Sequence, residues 1–253
     1  MQESIKRVQR NGMRYYQVSK GGEILGEFPS ITTVLGGTSD KSGLEKWKKR
    51  IGEAEAKRIS ELSMNRGTVM HRLIELYKPL EGDKASRLEQ LRELAAKDKE
   101  INQYSDEENG EIWLAAGWEM FMKFYMNSSQ YFDRVKRVIE AETFLWSVKG
   151  GGYAGTVDNV SELVDGTYAV IDFKTARKPK KEEWIEDYKL QVAAYSVAVW
   201  DRYKIKISQA QIWISNEQTM DPQYFEMNTE DLKLYYNKFL ERLDKFYEMF
   251  PVN

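Results

Sequence analysis

Alternating apolar and polar positions open the chain and predict an amino-terminal β-meander. Residues 5–19 have the pattern of two strands divided at Asn11-Gly12, a dipeptide typical of tight hairpin turns. Gly21-Gly22 marks a second turn before Ile24 and Leu25. We therefore expect residues 1–27 to form a small antiparallel unit.

From Ser30 onward the apolar positions recur at helical spacing, which predicts a helical part over residues 28–135. The predicted helices are residues 30–35, 44–62, 68–76, 84–99 and 108–127. Ser30 can cap the first of these helices, and Gly36-Gly37 should end it. Val69 and Leu73 lie on one apolar stripe of the third helix, and His71 lies off that stripe.

Beyond residue 138 the pattern changes to that of a sheet. The predicted strands are residues 141–148, 153–164, 168–174, 210–215 and, with a weaker pattern, 223–227. A helix from about Glu182 to Trp200 precedes the fourth strand, and a helix over 229–253 closes the chain. This order predicts an α/β fold with a mixed central β-sheet flanked by helices, in which residues 136–228 contain the catalytic sheet.

Composition limits the fold and the class of site. A chain of 253 residues with 42% hydrophobic content can bury one sizeable core, so we expect a single domain. The 38 basic residues nearly balance the 40 acidic residues, so a positive surface that binds nucleic acid must be local. The absence of cysteine excludes disulfides, thiolate zinc sites and cysteine-ligated iron–sulfur clusters, which leaves hard oxygen ligands.

The apolar segments are all shorter than the roughly 20 residues of a membrane span. Residues 1–7 lack the apolar core of a signal peptide. A soluble, cytoplasmic protein with no membrane partner is the expectation.

Two carboxylates and a lysine on neighbouring strands are the candidate catalytic residues. Asp172 and Lys174 are two apart on one predicted strand, so their side chains share a face. If residues 164–166 form a three-residue loop with Gly166 in the left-handed conformation, Asp158 faces Asp172. A two-residue turn would instead pair Asp158 with Phe173; we expect the three-residue loop or an equivalent bulge.

Such a pair of carboxylates can bind Mg²⁺ or Mn²⁺, which prefer oxygen ligands. The ion would bind a scissile phosphate and lower the pKa of the attacking water, and Lys174 would add positive charge or help to orient that water. His71 would complete the metal shell or position the phosphate. Alone, His71 is more typical of a surface or packing residue that pairs with Glu75, and Glu142 is a weaker candidate for a further carboxylate.

Four short motifs occur in a fixed order along the chain. They are Gly67-x-x-x-His71, Gly155-x-x-Asp158, Asp172-x-Lys174 and Gln191-x-x-x-Tyr195. Together with residues 28–35, 44–50 and 170–179, this series resembles the RecB-type nucleases of the PD-(D/E)XK superfamily. More narrowly, it is similar to the mitochondrial genome maintenance exonuclease family and its phage and bacterial relatives.

The resemblance implies a restriction-endonuclease-like core and a metal-dependent exonuclease that acts on DNA with single strands or single-stranded ends. It implies a set of catalytic residues: Asp158, Asp172, Lys174, His71, Gln191 and Tyr195. It also implies a set of metal-binding residues: His71, Asp158, Asp172 and Phe173. The iron–sulfur staple of some RecB-type nucleases needs four cysteines and is excluded here.

The densest basic run follows the catalytic lysine and is the first candidate for DNA binding: Arg177, Lys178, Lys180 and Lys181. Trp47 and Lys48 belong to a second basic cluster. Single strands bind to basic grooves with aromatic stacking platforms, for which Tyr15, Tyr16 and Trp47 are candidates.

Three functions compete. The leading hypothesis is a DNA exonuclease that acts as a monomer in replication, repair or recombination. A structure-specific endonuclease would keep the same fold and site. A DNA-binding accessory protein without catalysis is the third, and the intact set of Asp158, Asp172 and Lys174 argues against it.

Overall fold

The computed structural model describes residues 3–105 and 107–251 of the chain. It opens with a three-stranded antiparallel meander, as predicted, in the order β1 (Glu3–Arg10), β2 (Met13–Lys20) and β3 (Glu23–Pro29). Positive φ angles at Asn11 and Gly12 form the predicted first turn. Residues 1 and 2 of the predicted meander lie outside the described residues.

Among the described residues of the helical part, six segments are α-helices. They are α1 (Ile31–Thr38), α2 (Ser42–Ile51), α3 (Glu53–Tyr77), α4 (Lys84–Ala95), α5 (Lys99–Asn102) and α6 (Gly110–Met126). Ser30 caps α1 by accepting a hydrogen bond from the Thr33 amide at 3.0 Å, as predicted. The predicted stop at Gly36-Gly37 is wrong, because α1 continues to Thr38. A Cβ atom on Gly37 would lie 3.1 Å from the Phe246 ring, so this glycine serves helix packing rather than termination.

The single helix predicted over residues 44–62 is also wrong. Gly52, at φ 86°, ends α2 and precedes α3, and few L-residues adopt this conformation. Helix α3 then runs for 25 residues without a break and includes the segment around His71 that was predicted as a separate helix. One rigid element therefore carries both Arg66 and His71.

The central sheet has five strands in the order of the chain. They are β4 (Val135–Ser147), β5 (Tyr153–Leu163), β6 (Tyr168–Ala176), β7 (Gln209–Asn216) and β8 (Gln223–Met227). Only β6 and β7 pair in parallel, and the other neighbours are antiparallel. This arrangement confirms the predicted mixed sheet.

Helices cover both faces of this sheet. Helix α7 (Glu186–Tyr203) connects the parallel strands, and α8 (Thr229–Met249) begins at a capping box formed by Asn228 and Asp231. These two helices pack on the face that includes Val170 and Ile212. Helices α3 and α6 pack on the other face, around Phe173 and Trp213. The protein is an α/β fold in which α3 lies against β6.

Candidate metal and catalytic site

The turn before β6 sets the register of the two carboxylates. The Leu163 amide donates to the Thr167 carbonyl at 2.8 Å, and Gly166 has φ 82°, so residues 164–166 form the predicted three-residue loop. The ladder then pairs Glu162 with Tyr168 and continues to Asn159 and Ile171. In this register the next position places Asp158 opposite Asp172, as predicted.

Strands β5 and β6 separate beyond this point. Their ladder ends at Asn159 and Ile171, whereas β6 remains paired with β7 as far as Ala176. The Phe173 amide, which has left the ladder, donates to Asp158 Oδ2 at 2.8 Å. A carboxylate therefore replaces the missing backbone acceptor, and the candidate site lies in the opening between the two strands.

His71 crosses from α3 to this opening. Its Nε2 lies 2.8 Å from the Phe173 carbonyl oxygen, which can only accept, so Nε2 carries the hydrogen. Its Nδ1 faces Glu142 at 3.6 Å and Asp158 at 3.7 Å. Burial alone would lower the pKa of His71, but the carboxylates of Asp158 and Glu142 outweigh it and raise this pKa to about 9.

One ligand atom from each of His71, Glu142 and Asp158 lies within 4.8 Å of the others. An imidazole nitrogen and two carboxylates form a hard donor set that suits a divalent ion. The donor set present in the chain therefore fits the metal that the sequence predicts.

Glu142 was only a weak candidate in the sequence, and the structure places it in this cluster. It lies across from Asp158, because its neighbours Ala141 and Thr143 pair with Asn159 and Val157. Its φ angle is 46°, and a register shift occurs just before it in β4. This local irregularity of the strand has no recognisable signal in the sequence.

Asp172, which is buried, and Lys174, which is half-buried, form an ion pair beside the cluster. Lys174 Nζ lies 2.7 Å from Asp172 Oδ1 and packs over the Tyr188 ring. Burial raises the pKa of Asp172, and the positive charge of Lys174 opposes this rise. Burial acts to lower the pKa of Lys174, but Asp172 and Asp158 outweigh it and raise this pKa, which keeps the lysine charged.

Helix α7 supports the site from behind through Gln191 and Tyr195, which are both buried. A Cβ atom on Gly155 would lie 2.7 Å from Tyr195 Oη, so the glycine lets this strand approach the tyrosine closely. Burial, followed by the negative charge of Asp158, raises the pKa of Tyr195. The tyrosine is thus a neutral group packed behind the carboxylates.

Lys78 is a cation near the site that the sequence reasoning missed. Its Nζ is buried 4.5 Å from the centroid of the Phe173 ring, with no hydrogen-bond partner in the described part of the chain. Burial lowers the pKa of Lys78 to about 7, although Asp158 and Glu142 oppose this shift. Its position seven residues after His71, on the same face of the helix, was the available signal.

A cleft of about 490 Å³ opens from His71 and Glu142 to the surface. Its wall includes Glu75 and Glu100. Arg72 also lines it, but this guanidinium is paired with Glu75 and with Asp98, whose Oδ2 it contacts at 2.7 Å. We call this cavity the acidic cleft.

Comparison with known proteins places this chain in a family. A model of the PD-(D/E)XK nuclease superfamily matches residues 40–249, most of the chain. The chain belongs to the PD-(D/E)XK nuclease superfamily. It is therefore a nuclease, and DNA is the substrate that the family implies.

Solved structures with a similar backbone differ widely from this nuclease in sequence. One is described as a putative exonuclease from Eubacterium rectale; it has 12% identity and a TM-score of 0.44, over 67% of this chain and 68% of that chain. Another, described as SSO0001, has 13% identity and a TM-score of 0.37, over 72% of this chain and 84% of that chain. Comparison with curated proteins gives no match. Within the described ranges, no helix of the nuclease is both long and apolar enough to span a bilayer.

The structure separates the predicted DNA-binding residues of the nuclease into two groups. Arg177, Lys178 and Lys180 line a cavity beyond the end of β6, and Lys181 is exposed beside it. Trp47 is half-buried and Lys48 is exposed on α2, a helix without a buried residue. Their role in DNA binding stays a prediction.

The two tyrosines of β2 that were candidates for stacking on a base differ in exposure. Tyr15 is buried in the core, with its ring centroid 6.4 Å from that of Phe246. Tyr16 is half-buried against Phe144. The suggestion that Tyr15 stacks on a base is therefore wrong.

Proposed function

We propose that this nuclease is a RecB-type, divalent-metal-dependent DNA exonuclease that prefers single strands or single-stranded ends. The observation that carries the proposal is the convergence of His71, Glu142 and Asp158 beside the ion pair of Asp172 and Lys174. Replication, repair or recombination would be its setting, and the proposed active form is a monomer.

Mg²⁺ or Mn²⁺ is the proposed ion. His71, through Nδ1, and the carboxylates of Glu142 and Asp158 would hold it, with Asp172 at the same opening of the sheet. When bound, the ion would neutralise charge on the phosphate and lower the pKa of the attacking water. The predicted metal role of Phe173 remains a proposal: its amide and carbonyl position Asp158 and His71 in this structure.

The other side chains of the site have separate roles in charge stabilisation, orientation and exclusion of water. Lys174 presents a positive charge to the scissile phosphate, and Asp172 fixes the position of that charge by direct contact. The hydrogen bond from Nε2 to the Phe173 carbonyl fixes the tautomer and ring orientation of His71. Tyr195 and Gln191 exclude water behind Asp158.

The charge of the acidic cleft supports end-dependent cleavage. A strand that continued past the site through this cleft would bring its phosphates against Glu75 and Glu100. The guanidinium of Arg72 pairs with both Glu75 and Asp98, so these three groups together remain net negative. A strand that ends at the site avoids this repulsion.

The test is degradation of DNA labelled at either end, supplied as linear single strands, linear duplex and single-stranded circles. Each substrate is incubated with Mg²⁺, Mn²⁺ or EDTA. We expect metal-dependent loss of linear single strands, with circles intact. The order in which labelled products appear gives the polarity.

Two outcomes contradict the proposal in different ways. Cleavage of circles would establish the endonuclease, which keeps the same site but accepts internal phosphodiesters. DNA binding without cleavage under any metal condition would establish a non-catalytic accessory protein.

A further inference from the structure

A second cavity, of about 440 Å³, lies beyond the carboxyl end of β6. Its lining includes four cations, Thr175 and an aromatic ring; the cations are Arg66, Arg177, Lys178 and Lys180, and the ring is Trp184. Among the residues that the structure describes, none that lines this cavity is acidic. We call this cavity the cationic pocket.

A buried arginine organises the inner wall of the cationic pocket. Arg66 is 2% exposed, donates to Thr175 Oγ1 at 3.3 Å and pairs with Glu217. Arg177 lies 4.0 Å from the same carboxylate. One acid therefore serves two guanidinium groups, which leaves a net positive charge.

The lysines add to this excess. In residues 3–105 and 107–251 no carboxylate lies within ion-pair distance of the Nζ atoms of Lys178 or Lys180. Lys180 is half-buried, and its backbone is fixed by hydrogen bonds from its amide to Gln223 Oε1 at 2.6 Å and from Gln223 Nε2 to its carbonyl at 2.8 Å. A loop held in this way presents its cations in a defined arrangement.

The cationic pocket adjoins the catalytic residues. Thr175 directly follows Lys174 on β6, and Arg66 precedes His71 by five residues on α3, an axial separation of about 7.5 Å. Strand β6 and helix α3 therefore both run from the neighbourhood of the metal cluster to the cationic pocket. A group held there would lie near the scissile phosphate.

Trp184 supplies a flat apolar surface at the wall of this pocket. It is 56% exposed, and Lys181 Nζ lies 5.2 Å from its ring centroid. Aromatic rings beside lysines bind single-stranded nucleic acid by stacking on bases while the cations contact phosphates. The volume lies in the range of small-ligand sites.

We propose that the cationic pocket binds the nucleotide adjacent to the scissile phosphodiester. Its phosphate contacts Arg177, Lys178 and Lys180, and its base stacks on Trp184. This inference rests on the proposed function and adds to it a specific binding subsite.

The test measures DNA binding without metal, so that it does not depend on hydrolysis. A fluorescent ten-residue oligothymidylate is titrated with wild type, Trp184→Ala, Trp184→Phe and Lys178→Ala in EDTA at several salt concentrations. We expect Trp184→Ala to weaken binding about 5- to 100-fold and Trp184→Phe to retain most of the affinity. Lys178→Ala should lower the slope of log affinity against log salt by about 0.7.

Matched controls come from the other exposed tryptophan–lysine pair in the described chain. Trp200 is 46% exposed, with Lys204 Nζ at 5.9 Å from its ring, and neither lines the cationic pocket. Trp200→Ala and Lys204→Ala should bind as wild type. Melting temperatures of all variants verify that they fold.

Wild-type affinity in Trp184→Ala and Lys178→Ala would overturn this subsite even if the protein degrades DNA as proposed. Equal weakening by Trp200→Ala would overturn it as well, because the effect would then be general to exposed aromatics. A binding defect confined to the pocket variants would support the subsite, whereas a wild type that binds DNA without cleaving it would overturn the proposed function separately.

Discussion

The acidic cleft and the cationic pocket border the same helix, α3, and have opposite charge. Glu75, Glu100 and Glu142 line the cleft, and the one arginine there is already paired. The pocket contains four cations and no lining acid. Helix α3 borders both cavities, so carboxylates that we propose bind metal lie near cations that we propose bind phosphate.

The largest expected effect concerns Asp172 and Lys174, the pair that we propose is catalytic. Asp172→Asn and Lys174→Met should each lower the single-turnover rate by about 10²–10³-fold or more, because the second removes the positive charge placed for the transition state and the first removes the carboxylate that fixes its position. Oligonucleotide affinity in EDTA should change little, since the cationic pocket is intact. Full activity of Lys174→Met with metal dependence retained would show that the site is assigned wrongly.

The second-largest expected effect, on Mn²⁺ affinity, distinguishes the proposed metal ligands from the other acids of the acidic cleft. Glu142→Gln should weaken the apparent affinity for Mn²⁺ by at least about 10- to 100-fold, the loss typical of even a supporting residue. Glu75→Gln is the matched control, an acid of the same cleft outside the cluster. Calorimetric titration of Mn²⁺ into the metal-free protein measures both; similar losses in the two variants would contradict the assigned ligand set.

The carboxylates around His71 also link stability to pH. Its folded pKa of about 9 exceeds the unfolded value of 6.5, so the stabilisation is complete below pH 6.5 and is lost as the pH rises through about 9. Lys78, with its pKa lowered to about 7, acts in the opposite direction over the same window. The quantity to measure is therefore the difference in free energy of unfolding between wild type and His71→Asn in metal-free buffer.

We expect the advantage of wild type in free energy of unfolding to shrink by about 1 to 3 kcal/mol between pH 6.5 and 9.5. Urea denaturation at fixed salt measures it. A constant difference across this range would mean that His71 gains no stabilisation from Glu142 and Asp158.

The smallest expected effect comes from reversing one charge of the acidic cleft. Glu100→Lys should tighten binding of single-stranded DNA about 2- to 5-fold at low salt, and the gain should vanish at high salt. Glu89→Lys, on the exposed side of α4, changes the net charge equally without lining the cleft. An equal gain in both variants would attribute the effect to net charge rather than to the cleft.

Local patterns were sufficient to predict the sheet and the register of its two carboxylates. The glycine at position 166 specified the three-residue loop, and the period of two then placed Asp158 across from Asp172. Ser30 and Thr229 marked helix starts that the structure confirms. These features depend on residues close together in sequence.

The features that were missed depend on distant contacts or on the backbone alone. Gly37 continues a helix because Phe246, far along the chain, packs against it. Arg66 is buried by Glu217, 151 residues away, and Glu142 reaches the cluster through an irregular strand. Hydrophobic periodicity contains no information about such pairings.

Glu142 adopts a left-handed backbone conformation, which costs a residue with a side chain about 1–3 kcal/mol. Glycine would tolerate this conformation without that cost, and asparagine would reduce it. Selection for thermal stability alone would therefore favour replacing this glutamate. A version of the chain optimised for heat resistance should be screened for activity at this position first, because relief of this backbone strain and loss of a proposed metal ligand would coincide.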